Sequence, residues 1–199
     1  FEQLNDHWKE WSNALMSADP SSCFSIANSI WCANSFPVKN AFTQTNKAYY
    51  DSELNTIDFT SPDAIKTINT WCAQKTNNTI PKALDELNPH SMMLLINALY
   101  FKGYWYQGFQ FNENMTTKEP FHAKDGSSEN VDMMHSTDHH SYKSGSYADY
   151  LSKPFGNEAS SIVFALPKEG KDMEDVIIHL ENDFSWTNIG GTMENKIVN

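Results

Sequence analysis

Three observations predict an α+β fold. Residues 1–16 and 61–77 repeat their apolar residues at spacings of three and four, the period of a helix with one buried face. Residues 23–32, 92–105 and 161–167 are short apolar or alternating runs that read as strands. The resulting order is helix, strand, helix, strand, hairpins, strand, helix. It does not alternate regularly, which favours segregated α+β over a doubly wound sheet. The chain has 199 residues, 40% hydrophobic and 20% charged, a globular rather than a disordered composition. No repeat, linker or low-complexity run divides it, so one domain over 1–199 is the simplest parse.

In the first helix, Phe1, Leu4, Trp8, Trp11 and Leu15 share a face, and Asp19-Pro20-Ser21-Ser22 ends it. CFSIANSIWC at 23–32 alternates Phe24, Ile26, Ile30 and Cys32, with Asn28 on the same side, as a strand does. Pro37 opens a shorter helical piece through Tyr49-Tyr50. The clearest helix is SPDAIKTINTWCAQKTN. Ser61 is its N-cap, Pro62 its first residue, and Asp63 complements the positive end. Ile65, Ile68 and Trp71 or Cys72 form its stripe. A short helix and turn are expected at 80–90. Residues 107–150 read as a meander of hairpins, with strands near 119–121 and 131–134. A last helix runs from about Lys171 to Leu180, and Gly190-Gly191 is an isolated turn signal.

The formal net charge of −11, with no Lys/Arg cluster, argues against nucleic acid and anionic membrane partners. No run reaches the roughly 18 apolar residues of a membrane span. The chain opens at Phe1 without a signal peptide, as a mature or truncated chain does. Cys23, Cys32 and Cys72 lack metal spacing; at most one pair can close, and buried free thiols are the expectation. Asn77-Asn78-Thr79 and Asn114-Met115-Thr116 are glycosylation sequons compatible with secretion. His122, His135, His139 and His140 have no ligand spacing and are expected as exposed loop residues, so no metal and no cofactor are expected. No H-E-x-x-H, G-x-S-x-G or phosphate loop occurs. Ser, His and Asp are abundant and a triad is recognised by geometry, so an unrelated α+β hydrolase stands as one reading.

The most informative stretch is LLINALYFKGYWY at 94–106. Alternation puts Leu95, Asn97, Leu99, Phe101, Gly103 and Trp105 on one face, and Leu94, Ile96, Ala98, Tyr100, Lys102 and Tyr104 on the other. At about 3.3 Å per residue the strand would be unusually long. Apolar residues on both faces imply cover on both sides. Asn97 is then expected to be buried on the core face and hydrogen-bonded to a neighbouring element.

This block resembles the third strand of the large sheet of a serpin. SIANSIW at 25–31 resembles the strand before it, and INTW at 68–71 with Ile80 resembles the helix that crosses the sheet. Phe109, Thr116, Phe121, VDMMH at 131–135, LSKPFGN at 151–157 and SIVFALPKEG at 161–170 fit the later hairpins and strands. The resemblance covers about residues 20–180. It departs at Phe155, where a tyrosine is usual, at Cys72, where a valine is usual, and by two extra residues between Phe109 and Thr116.

The resemblance implies a large, mostly antiparallel sheet crossed by a helix, with smaller sheets and flanking helices. It implies a fragment, because a serpin is nearly twice this long. The preceding helices and the later strands with the reactive-centre loop are expected to be missing. The implied function is suicide inhibition of a serine or cysteine protease, with insertion of the cleaved loop beside the strand at 92–105. A non-inhibitory carrier or chaperone is the alternative. The implied protein is not an enzyme, and it acts outside the cell or, as an alternative, inside it. Asn97 is assigned by resemblance to the shutter of the large sheet and Trp105 to the breach where insertion begins. Ile65, Ile68, Asn69 and Trp71 are assigned to the crossing helix.

Overall fold

The computed structural model describes residues 2–183 and 193–198; the Gly190-Gly191 turn signal lies outside them. The chain forms two compact units, residues 1–102 and 103–199.

The first unit holds α1 (Glu2–Ser17), β1 (Cys23–Ala33), α2 (Asn40–Tyr50), β2 (Glu53–Ile57), α3 (Asp63–Lys75) and β3 (Met93–Lys102). Its sheet has the order β2-β1-β3. β1 and β2 run parallel, from Ser29 opposite Glu53 to Ala33 opposite Ile57. β1 and β3 are antiparallel, with Asn28 directly opposite Asn97. β2 has no signal in the sequence, since ELNTI lacks clean alternation, and α2 starts at Asn40 rather than at Pro37. No helix forms at 80–90, because the backbone of that segment is held by the side chain of α3 residue Asn69 instead.

The core of this unit is Trp31, Phe59, Ile68, Trp71, Cys72 and Ala98, with Ala27, Leu94 and Ile96 packed against it. These residues place α3 over the sheet face that carries Ala27, Trp31, Leu94, Ile96 and Ala98. The opposite face of β3 lacks the expected cover. Leu95 is 63% exposed and Leu99 56% exposed. α1 and α2 instead lie by β1 on that side, lining a hollow with Ile26 and Asn28. Among the α1 stripe, Leu4 and Trp11 are exposed.

β3 also ends earlier than expected, at Lys102. Glycine weakens a strand, and beyond Gly103 the backbone finds other partners: Gly156 N donates to Tyr104 O at 2.8 Å and Tyr106 N to Pro154 O at 3.0 Å. Trp105 therefore belongs to the second unit, in a bridge with Phe155.

The second unit contains β4 (Thr117–His122), β5 (Ser128–Met133), β6 (Asp138–Ser144), β7 (Ala148–Phe155), β8 (Ser160–Pro167), α4 (Met173–Asp183) and β9 (Glu194–Val198). β4 and β5 make a hairpin, and a four-stranded antiparallel sheet has the order β8-β7-β6-β9. Ala148, Tyr150, Val176 and Leu180 form the core between that sheet and α4. The expected hairpin meander is thus present, but His139 and His140 sit in a strand rather than a loop, and His140 is buried. Cys32 and Cys72 are buried free thiols; Cys23, at the end of β1, is exposed, contrary to expectation.

Candidate functional site

In the first unit the candidate site is the β3 edge and what lies above and below it. β3 pairs with β1 on one side only among the described residues. Its Asn97 is exposed, not buried. The register is the reason: Asn97 shares the uncovered face with Leu95 and Leu99, while Ala98 takes the face under α3. The expected side-chain hydrogen bond is nevertheless made. Asn97 Nδ2 donates to Asn28 Oδ1 at 2.8 Å, and Asn28 Nδ2 donates to Tyr50 O at 2.7 Å. Tyr50 Oη donates to Asn5 Oδ1 at 2.8 Å, and its ring stacks on Trp8. One polar chain therefore joins β3, β1, α2 and α1. Asn28 was placed on the same face by alternation, but its link to Tyr50 has no signal in the sequence.

On the other face α3 is held by three devices. Ile68 is fully buried, and Trp71 meets Trp31 edge-on with ring centroids 6.4 Å apart. Trp71 Nε1 donates to Glu53 Oε2 at 2.9 Å, and Lys75 pairs with Glu53 Oε1 at 2.6 Å. The hydrogen bond from Lys75 is the main cause holding the Glu53 carboxyl below its usual range. Asn69 Oδ1 accepts from both Ala83 N and Leu84 N at 2.9 Å, and its Nδ2 donates to Leu84 O at 2.9 Å. It thereby staples the segment after α3 to the helix. Ile65 departs from the expected stripe. The buried positions are Ala64, Ile68, Trp71 and Cys72, a 4-3-1 spacing that leaves Ile65 on the flank, lining a groove with Asn69 and Leu84. Thr76, which opens the polar run that closes this helix in the sequence, is fully buried, and it ends the helix by donating to Cys72 O at 2.7 Å and accepting from Ile80 N.

In the second unit Trp105 stacks on Phe155, centroids 4.7 Å apart and planes 12° apart, and meets Phe111 edge-on. The Lys153 ammonium lies 5.1 Å from the Trp105 ring centroid. Lys153 and His140 are both buried; Lys153 has no signal in the sequence, and His140 was expected as an exposed loop residue. Of the remaining histidines, His135 lies 2.7 Å from Glu119 Oε1, an exposed pair across the hairpin. Among the described residues no group of three His, Cys, Asp or Glu is arranged to hold a metal. No helix among them is long and apolar enough to cross a membrane.

The comparisons agree with this architecture. The family model described as serpin (serine protease inhibitor) matches residues 1–199. The chain belongs to the serpin family. A serpin-like protein of Methanosarcina mazei is 30% identical over 165 residues, covering 80% of this chain and 38% of the relative. Human Serpin B11 is 28% identical over 187 residues, covering 90% of this chain and 47% of that protein. The native state of tengpin, a thermophilic serpin, superposes with a TM-score of 0.86 at 26% identity, over 98% of this chain and 49% of tengpin. The chain thus spans about half the length of the relatives it matches. Its fold is the corresponding part of a serpin fold, and the hydrolase reading has no support. Serpins are generally protease inhibitors rather than enzymes, and the family has both extracellular and intracellular members.

Proposed function

We propose that this serpin sequence, read as a single domain over 1–199, supplies the loop-accepting half of a suicide inhibitor of serine or cysteine endopeptidases. The observation that carries the reading is the sheet β2-β1-β3, crossed on one face by α3 and ending in β3, whose outer edge has no partner among the described residues. A strand edge is a row of backbone donors and acceptors ready to pair with an added strand. In this reading a protease cleaves an exposed loop of the whole protein and is held as an acyl-enzyme, and the loop then pairs with β3. Asn97, through Asn28, ties β3 to the elements below the sheet and resists its displacement, as a shutter residue does. Ile68, Asn69 and Trp71 hold α3 against the face that must adjust, with Ile65 at its flank. Trp105 marks the breach. The partner is the protease, no cofactor is needed, and the setting is extracellular.

The test is made on the whole protein. Incubation with trypsin-like, chymotrypsin-like and papain-like proteases is expected to give a complex that survives a denaturing gel, and loop cleavage is expected to raise the melting temperature strongly. No complex, together with equal melting of cleaved and uncleaved protein, would favour a non-inhibitory carrier.

A further inference from the structure

Beneath Trp105 lies a cluster with no part in the reading above. Lys153, on β7, is 2% exposed. Its ammonium stands 4.6 Å from the Phe111 centroid, 5.1 Å from Trp105 and 5.5 Å from Phe109. Three ring faces around one cation supply quadrupole attraction in place of water. Among the described residues no carboxylate comes within ion-pair distance of Lys153. His140, on the neighbouring strand β6, is 5% exposed; its ring packs against Phe109 at 5.0 Å, and among the described residues its Nδ1 is buried without a hydrogen-bond partner. An unpaired buried ring nitrogen is costly, and so is a buried cation without a counter-ion.

We propose that Lys153 and His140 are positioning residues for Trp105, and that protonation of His140 releases the aromatic cap. The proposal deepens the breach role given to Trp105 and rests on that reading only for its consequence in inhibition. Neutral His140 tolerates Lys153 beside it and keeps Phe109 packed against its ring. Imidazolium would put a second positive charge into a site that already holds one. The charged groups facing His140 are Lys153 from β7, Lys196 directly opposite on β9, and Asp138 two residues away on β6, with Glu194 paired to Lys196. Burial first, and then the charge of Lys153, push the His140 imidazole below the ordinary histidine range, while Asp138 opposes this in part. Burial likewise pulls the Lys153 ammonium below the ordinary lysine range, against Asp138. The sign is then fixed. The neutral form is the one the fold holds, so the cap is intact above the ordinary histidine pKa of about 6.5 and is lost as pH falls through the lower folded value.

The experiment follows the His140 ring resonance by NMR and the Trp105 emission, taken as this chain minus its Trp105→Phe variant, from about pH 7.5 down to about pH 4.5. The expected result is a His140 midpoint below that of a free histidine, with the Trp105 emission changing at the same midpoint. Lys153→Met is expected to raise the midpoint, Lys153→Arg to leave it low, and His140→Gln to abolish the emission change. An emission change that persists in His140→Gln, or none in the unaltered chain, overturns the proposal. If His140→Gln does not fold, a His140 midpoint unmoved by Lys153→Met overturns it just as firmly. Neither readout involves a protease, so loss of the inhibitory reading leaves this result standing, and the reverse also holds.

Discussion

Asn28 accepts from Asn97 and donates to the Tyr50 carbonyl, so one half-buried amide serves two elements. Asn28→Ala removes both bonds and leaves the Tyr50 carbonyl unpaired; the expected loss is about 1–2 kcal/mol. Asn97 is exposed, and water replaces its partner, so Asn97→Ala is expected to cost only about 0.5 kcal/mol. Urea unfolding of the two variants checks the order: a larger loss at Asn97 would mean that its face is covered in solution. That Asn97 is hydrogen-bonded was legible, since a lone amide in an apolar strand needs a partner. Its exposure was not, because alternation says which residues share a face and never which face is covered. Asn69 was named only as part of a motif; its three bonds depend on where residues 83–84 return, which no local pattern encodes.

At the scale of elements, α3 and β1 were readable from capping residues and periodicity, whereas β2 was not. A five-residue edge strand with no buried residue has no repeat long enough to recognise. The helical stripe was misplaced by one residue at Ile65 for a related reason: both 64-68-71 and 65-68-72 are helical spacings, and only the sheet below chooses between them. Ile68→Ala is therefore expected to cost about 2–5 kcal/mol, the range for emptying a fully buried site. Ile65→Ala, on the groove flank, is expected to cost under ~1 kcal/mol. Thermal melts that rank them the other way would return Ile65 to the core. A second element-level contact binds the sheet of the second unit. Lys168, just past β8, donates to Asp149 Oδ1 on β7 at 2.7 Å and to Ser144 at the end of β6. The Lys168 hydrogen bond, then that of Tyr142, lowers the Asp149 carboxyl to about 2. Its contribution is present above the ordinary aspartate value of about 3.9 and is lost as pH falls toward 2. Asp149→Asn is expected to flatten the acid side of the melting-temperature profile in that window; a profile unchanged by the substitution would show the pair to be energetically silent.

For the molecule as a whole, the family was legible because its signature lies in contiguous strand and helix sequence, LINALYFKGYW above all, and contiguous sequence survives in a chain that spans half a serpin. What was illegible concerns surfaces that the described residues leave open. β3 offers an edge without a partner among them, and beside it Leu95 and Leu99 stand 63% and 56% exposed on a sheet that is otherwise well packed by α3. Natural sheets blunt such edges with charge, proline or a covering element, and a flat apolar edge templates pairing with another chain. This chain in isolation is therefore expected to self-associate through β3. Leu99→Lys places a charge on the uncovered face without touching Ala98 or the α3 core, so it should reduce association while leaving the thermal melt of the first unit unchanged. Sedimentation velocity over a range of concentrations is the measurement. A sharp monomer boundary for the unaltered chain would mean that the edge is protected, and an oligomer that persists in Leu99→Lys would move the contact elsewhere, with the exposed Leu4 and Trp11 of α1 as the next surface to charge.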